Sequence, residues 1–159
     1  MTPAPVLLDN TVLTNFALVG QPRLVLRLWG DVACTTPAVM NEYQAGVGAG
    51  LVPAAWHELP IVTLTEAEAA FAAELPPRLG AGERSCLAVA KQREGLLATD
   101  DRDARQTARQ HGISVTGTIG ILVLAVRQLH LSQDEANELL REMIEAGYRS
   151  PVTDLNALE

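Results

Sequence analysis

Carboxylates are the residues of this sequence whose positions point most directly to chemistry. Five of them follow predicted strands or lie in the helices next to those strands: Asp9, Glu42, Glu83, Asp100 and Asp101. In an open parallel sheet, functional groups gather beyond the carboxyl ends of the strands. Each acid alone has an ordinary structural explanation, as a helix cap, a partner of a helix dipole or a solvated surface group. Their repeated placement at strand ends predicts one acidic cluster.

Such a cluster requires a cation or bound protons. Two carboxylates about 4 Å apart repel each other by ~4 kcal/mol at an effective dielectric constant near 20, so several of them do not converge uncompensated. The sequence has no paired histidines or cysteines at metal-ligand spacing, and ligation by oxygen alone suits Mg²⁺ or Mn²⁺ rather than structural zinc. Such ions commonly serve phosphate-ester cleavage, where they orient a water molecule, lower its pKa and stabilise charge on the phosphate.

The elements that must position these acids follow from short apolar runs and helix caps. The runs predict strands at 6–8, 32–35, 61–64, 96–99 and 114–116. Helices between them are predicted from apolar residues at helical spacing and from capping patterns that begin at Thr36, Thr65 and Ser132. The glycines at 46, 48 and 50 predict a helix break and a flexible connection. A phosphate-binding loop is disfavoured there, because the GxGxxG and GxxxxGK[ST] patterns are missing. The alternation predicts an α/β domain with a mainly parallel central sheet flanked by helices, and a C-terminal helical extension.

Composition restricts the class of protein. A chain of 159 residues with 48% hydrophobic residues fits one globular domain. Its longest apolar run, 119–126, is far shorter than the roughly 20 residues of a membrane helix. The start of the chain lacks the basic and apolar regions of a signal peptide, so we expect a cytoplasmic protein without a membrane partner. Cys34 and Cys86 have neither CxxC spacing nor neighbouring histidines, which predicts reduced core residues.

The net charge of −7 at first argues against a nucleic-acid partner. The five acids named above and the predicted helix 133–145, whose charged residues sum to −4, together hold −9, so the rest of the chain is net +2. Metal loading would reduce the first contribution and leave the eleven arginines available for phosphate.

Four segments resemble the ordered acidic motifs of PIN-domain proteins, and a fifth resembles the segment that closes the core in a bacterial and archaeal branch of that family. In chain order they are Asp9-Asn10-Thr11, Glu42 in Val39-Met40-Asn41-Glu42, Gly82-Glu83, Thr99-Asp100-Asp101-Arg102-Asp103 and Gly117-Thr118-Ile119-Gly120-Ile121-Leu122. The likeness spans about Val6 to Leu124. It implies a PIN-like nuclease domain over 1–131, with the C-terminal helix and tail, 132–159, packed on the same domain.

The resemblance also implies an activity and the residues that carry it. It implies a metal-dependent ribonuclease acting on single-stranded RNA, often the VapC-like toxin of a VapBC-type toxin–antitoxin pair, or a member of a related branch of predicted nucleases. A Mg²⁺ or Mn²⁺ cofactor, a cognate antitoxin and a homodimer follow from the same likeness. The implied catalytic acids are Asp9, Glu42, Glu83 and Asp101, and the implied metal ligands are these four with Asp100; Asp100 or Asp103 are substitutes for Asp101, and Thr11 and Thr118 support the first aspartate or line the pocket. Many toxins of the family carry aspartate where this chain has Glu83.

Substrate contacts and alternative functions remain open. Arg102, Arg105 and Arg109 are spaced to share one helix face, which suits either RNA phosphates or a solvated surface. Aromatic residues make up only 4% of the chain, so phosphate and metal contacts would dominate over base stacking.

A phospho-receiver domain is disfavoured because it needs a lysine near the end of its last strand, and Lys91, the only lysine, lies within a predicted helix. A serine hydrolase is disfavoured because no GxSxG motif occurs. The main alternative is a catalytically inactive PIN-like module that binds protein or nucleic acid.

Overall fold

The computed structural model describes residues 3–158, with four short strands and eight α-helices in that part of the chain. The strands are β1 (Val6–Leu8), β2 (Ala33–Cys34), β3 (Leu96–Ala98) and β4 (Ser114–Thr116). The helices are α1 (Asn10–Leu18), α2 (Pro22–Trp29), α3 (Pro37–Gly48), α4 (Glu66–Glu74), α5 (Ala81–Gln92), α6 (Arg102–Gln110), α7 (Thr118–Arg127) and α8 (Gln133–Glu145), with 3₁₀ turns at Gly30–Val32 and Leu155–Leu158.

The sheet has the strand order β2-β1-β3-β4, and every neighbouring pair is parallel. In its register Val6 lies opposite both Ala33 and Leu96, and Leu96 lies opposite Ser114. All carboxyl ends therefore meet at one edge, where the residues that follow β1 and β3 are the aspartates of the motifs. The predicted α/β class with a parallel central sheet flanked by helices is confirmed.

Helices cover the sheet and enclose its apolar residues. α5 packs against α3, α4 and α6 and contacts β1 and β3, whereas α7 packs against α2 and α8. Leu7, Leu8 and Leu97 of the two central strands are completely buried, as expected for parallel strands with helices on both faces. Cys34 and Cys86 are buried free thiols, as predicted. Within residues 3–158 every helix is too short or too polar to cross a bilayer.

Local capping chemistry fixes where several helices begin. Thr65 and Ser132 form capping boxes with Glu68 and Glu135, in which the hydroxyl and the carboxylate each accept a backbone N–H. The Thr36 hydroxyl accepts from the Val39 N–H at the start of α3. These caps are the ones that the sequence predicts, because they depend only on residues three positions apart.

One local prediction is wrong. The segment 61–64 is not a strand; Ile61 forms a single parallel bridge with Thr35 and is 49% exposed. The physical reason is that Thr36 begins α3 directly after β2, which leaves little edge for a longer strand to pair with. The helix break predicted at the glycines 46, 48 and 50 is observed, since α3 ends at Gly48 and the chain turns at Gly50, whose φ is +75°.

Candidate active site

We call the edge of the sheet that carries Asp9, Glu42, Glu83 and Asp101 the acidic edge. Asp9 is held there by donors from two elements. It leaves β1 and caps α1, so one carboxylate oxygen accepts from the Asn10 N–H at 2.8 Å. The other oxygen accepts from the Thr99 hydroxyl at 2.6 Å, across the gap between β1 and β3. The side chain is only 2% exposed. Asp9 is therefore a buried carboxylate with a fixed orientation.

Burial and neighbouring acids perturb this carboxyl group strongly. The pKa of Asp9 is raised from 3.8 to about 7, mainly by burial and also by the negative charges of Glu83 and Glu42, against the lowering effect of its two hydrogen bonds. The charges that act on it most strongly are those of the acids Glu83 and Glu42. The protein thus concentrates negative charge around Asp9, an arrangement that favours a bound proton or a cation.

Glu42 and Glu83 approach Asp9 from α3 and α5. A Cβ at Gly82 would lie only 3.1 Å from the Glu42 carboxylate, so the glycine of the Gly82-Glu83 motif lets the two helices approach closely. Glu42 is exposed and accepts from the Asn10 side-chain amide at 3.3 Å. Glu83 is half-buried and accepts from the N–H of Gly80 at the start of α5.

The acids around Glu83 act on each other electrostatically. Burial raises the pKa of Glu83 above 4.5, and the negative charges of Asp101, Glu42 and Asp103 raise it further. Asp101 caps α6 and accepts from the Ala104 N–H at 2.8 Å. Asp9, Glu42, Glu83 and Asp101 are therefore linked through Glu83 into one electrostatic group.

Asp100 has different partners from its neighbour Asp101. Its carboxylate accepts from the Thr118 backbone N–H at 2.8 Å, from the Thr118 hydroxyl and from the Asn15 amide at 3.1 Å. Its own N–H donates to the Thr11 hydroxyl at 3.0 Å. Thr11 and Thr118, predicted to support Asp9 or line a pocket, thus both bind Asp100, and neither donates to Asp9.

The donor set suits a hard divalent ion in its chemistry, although the side chains do not converge on one point. Within residues 3–158, no group of three or more Asp, Glu, His or Cys side chains is placed to hold an ion. The predicted convergent cluster is therefore not formed among these residues, because Asp9, Glu83 and Asp101 each accept a hydrogen bond from a backbone N–H at a helix start. Carboxylate oxygens remain the ligands that Mg²⁺ and Mn²⁺ prefer.

The predicted phosphate-binding arginines separate into two environments. Arg105 is half-buried, and its guanidinium donates to the Thr99 carbonyl at 3.0 Å, which brings it next to the acidic edge. Arg102 and Arg109 are exposed on the same helix, α6. Only Arg105 is tied by a hydrogen bond to the strand end that carries the aspartates.

Sequence reasoning missed three residues that organise this edge: Thr99, Asn10 and Asn15. Thr99 and Asn10 belong to the motifs themselves, beside Asp100 and Asp9, so their place in the motifs was the available signal. The sequence gives no such signal for Asn15, which is buried and donates to Asp100, as buried polar groups generally need a partner.

Comparison with known proteins assigns the fold to a family. The family model described as DUF3368, PIN domain, matches residues 5–158. No curated protein matches the chain. PIN domains are generally nucleases, and those nucleases generally use divalent metal ions. The match covers nearly the whole chain and includes the strand ends that carry the acids. The chain therefore belongs to the PIN-domain family.

Proposed function

We propose that this protein is a metal-dependent endoribonuclease that cleaves single-stranded RNA. The observation that carries the proposal is Asp9, a buried carboxyl group at the carboxyl end of a central strand, on which the charges of two further acids, Glu83 and Glu42, act. Burying an ionised carboxylate in such surroundings is unfavourable unless a cation binds there. A cation beside a sheet edge in a PIN domain fits phosphodiester hydrolysis.

Each acid has a distinct part in this proposal. Asp9, Glu42, Glu83 and Asp101 would hold Mg²⁺ or Mn²⁺, with Asp9 fixed by the Thr99 hydroxyl. The bound ion would activate water and stabilise negative charge on the scissile phosphate. Glu42 is exposed and has one long hydrogen bond at 3.3 Å, so its side chain is free to turn toward an ion. Asp100 is assigned to support, because three protein donors already occupy its carboxylate.

The substrate would be held mainly through its phosphates. Arg105 is fixed beside the acidic edge, and Arg102 and Arg109 extend from the same helix into solvent. Guanidinium groups suit phosphate because they donate in a planar fork. Arg102, Arg105 and Arg109 are therefore proposed to contact RNA phosphates.

The activity is tested with purified protein, Mn²⁺ or Mg²⁺, and a mixed pool of single-stranded RNA. Wild-type protein should cleave the pool, Asp9→Asn should not, and the control Asp134→Asn, which removes an exposed acid of α8, should cleave like the wild type. Equal cleavage by the wild type and Asp9→Asn would sink the proposal. Chelation by EDTA should stop cleavage by every active variant.

We further propose that the nuclease is the toxin of a type II toxin–antitoxin pair, acts in the cytoplasm as a homodimer and is neutralised by a cognate antitoxin. These features rest on the likeness to VapC-like proteins. Induced expression should arrest bacterial growth, whereas expression of Asp9→Asn should not. Equal growth of both cultures would contradict the toxin role, and a monomer in scattering measurements at high concentration would contradict the dimer.

The second candidate function is a PIN module that binds without catalysis. It is favoured by the hydrogen bonds that Asp9, Glu42, Glu83 and Asp101 accept within the protein and by the lack of a convergent group of three acids among residues 3–158. This candidate predicts no Mn²⁺ binding in calorimetry and no cleavage by the wild type. Mn²⁺ binding that is lost in Asp9→Asn would favour the nuclease.

A further inference from the structure

A second feature lies beside the acidic edge: a cavity of about 720 Å³. We call it the Tyr148 cavity. Residues of α1, of the turn between β4 and α7, and of the segment after α8 surround it, among them Asn10, Asp100, Arg105, Gly117, Tyr148 and Arg149. Its volume lies in the range of roughly 300–1,000 Å³ that is typical of ligand pockets. None of the acids assigned to the metal lines it.

The cavity adjoins the acidic edge through shared residues. Asn10 lines the cavity, and its side-chain amide donates to Glu42. Asp100 also lines the cavity, and it directly precedes Asp101 in the chain. The cavity therefore borders the acidic edge at these two residues.

The Gly117-Thr118 motif shapes the wall of the cavity. A Cβ at residue 117 would lie 2.6 Å from a carboxylate oxygen of Asp100 and 2.8 Å from a guanidinium nitrogen of Arg105, so only glycine leaves room for both side chains. The adjoining Thr118 donates twice to Asp100. This motif thus brings an arginine and a hydrogen-bonded carboxylate to the same wall.

The cavity combines positive charge with an aromatic ring. Arg105 donates to the Thr99 carbonyl, and Arg149 is exposed in the segment that follows α8. Tyr148 is half-buried; burial and the negative charge of Asp100 raise the pKa of its phenol, so the ring is neutral at physiological pH. The two arginines outnumber the one lining acid, whose charge already has three donors.

We propose that the Tyr148 cavity binds one nucleotide of single-stranded RNA adjacent to the scissile phosphate. Arg105 and Arg149 contact the nucleotide's phosphate, and the Tyr148 ring packs against its base. Aromatic packing of this kind accepts any base, since every base has a π-face. The proposal rests on the proposed nuclease function, because the occupant is part of that enzyme's substrate.

The test measures RNA binding separately from cleavage. A fluorescein-labelled, ten-nucleotide single-stranded RNA is titrated in Mg²⁺ with full-length protein carrying Asp9→Asn, and the Kd is read by fluorescence anisotropy. Arg149→Ala and Tyr148→Leu should each raise the Kd about tenfold. Tyr148→Phe, which keeps the ring, should stay within about twofold. The control Arg127→Ala removes an exposed arginine at the far end of α7 and should bind like the parent.

Salt dependence distinguishes a phosphate contact from a change in folding. Loss of one phosphate contact should lower the slope of log Kd against log salt by about 0.7 in Arg149→Ala. The cavity proposal is overturned if Arg149→Ala and Tyr148→Leu bind as tightly as Arg127→Ala, or if the parent binds no RNA. Cleavage by the wild-type chain, measured in parallel, separates the two proposals: RNA binding that depends on Arg149 without any cleavage overturns the nuclease alone.

Discussion

Replacing Asp9 by Asn should make the metal-free protein more stable at alkaline pH. Burial raises the pKa of Asp9 from 3.8 to about 7, so the folded state holds the proton more tightly than the unfolded chain does. Stability from this group is complete below pH 4 and is lost as the pH rises toward 7. The difference of about 3 pH units, at ~1.4 kcal/mol each, makes ionised Asp9 cost ~4 kcal/mol at pH 8.

Urea unfolding in EDTA measures this cost directly. Asn does not ionise and has nearly the same shape, so the free energy of unfolding of Asp9→Asn should not follow the titration. Relative to this variant, the wild type should lose ~3 kcal/mol between pH 5 and pH 8, because about two of the pH units lie in that interval. Asp134→Asn, at an exposed position in α8, should run parallel to the wild type.

A pH-independent difference between the wild type and Asp9→Asn would refute the assignment of a costly buried charge. A second measurement compares the free energy of unfolding of both proteins with and without Mn²⁺ at pH 8. Because a cation favours the ionised form, Mn²⁺ should stabilise the wild type and leave Asp9→Asn nearly unchanged. Equal stabilisation of both proteins would show that Asp9 does not face the ion.

Four other substitutions test the remaining contacts. Thr99→Val removes the hydroxyl donor of a buried carboxylate and should lower the free energy of unfolding in urea by ~1–3 kcal/mol. Asp101→Asn keeps a good N-cap and should melt within about 2 °C of the wild type while losing Mn²⁺-dependent cleavage. Asp100→Asn places an amide among three hydrogen-bond donors and should lower the free energy of unfolding by ~1–3 kcal/mol. Equal melting temperatures of the two variants would contradict the assignment of Asp101 to the metal and of Asp100 to support. Arg93→Met leaves Glu68, 1% exposed, without its ion pair and should cost ~2 kcal/mol at pH 7, since Arg93 is partly solvated. Because Arg93 lowers the pKa of Glu68, the effect should fade in unfolding curves recorded below about pH 4.5, and a constant effect at pH 3.5 and 7 would exclude the pair as its cause.

The fold was predictable where its causes are local. Val6–Leu8 is apolar and ends at an aspartate, and Thr65 and Ser132 stand three residues before glutamates, so a strand and two helix starts could be read from neighbours in the chain. The single bridge that Ile61 forms could not be predicted from its neighbours in the chain, because its pairing depends on how far the strand edge beside Thr35 extends. Apolar runs predict burial, but the length of a strand depends on its partner.

The site was predictable to the level of which strand ends carry acids, but not to the level of their partners. Parallel topology alone brings Asp9 and Asp101 to one edge. The hydrogen bond from Thr99 to Asp9 joins residues ninety positions apart, and no local pattern indicates it. The same holds for Thr118, which shares no local pattern with Asp100 yet supplies two of its three donors.

Residues 99–101 explain why two adjacent aspartates have different functions in this scheme. Side chains alternate in direction along extended backbone. This alternation puts Thr99 and Asp101 on one side, where the Thr99 hydroxyl donates to Asp9 and the charge of Asp101 acts on Glu83. Asp100 points to the other side, toward α7 and the Tyr148 cavity. One short segment therefore sets the spacing between the acidic edge and the proposed nucleotide pocket, and a change at residue 100 should displace bound RNA relative to the acids proposed to bind the metal.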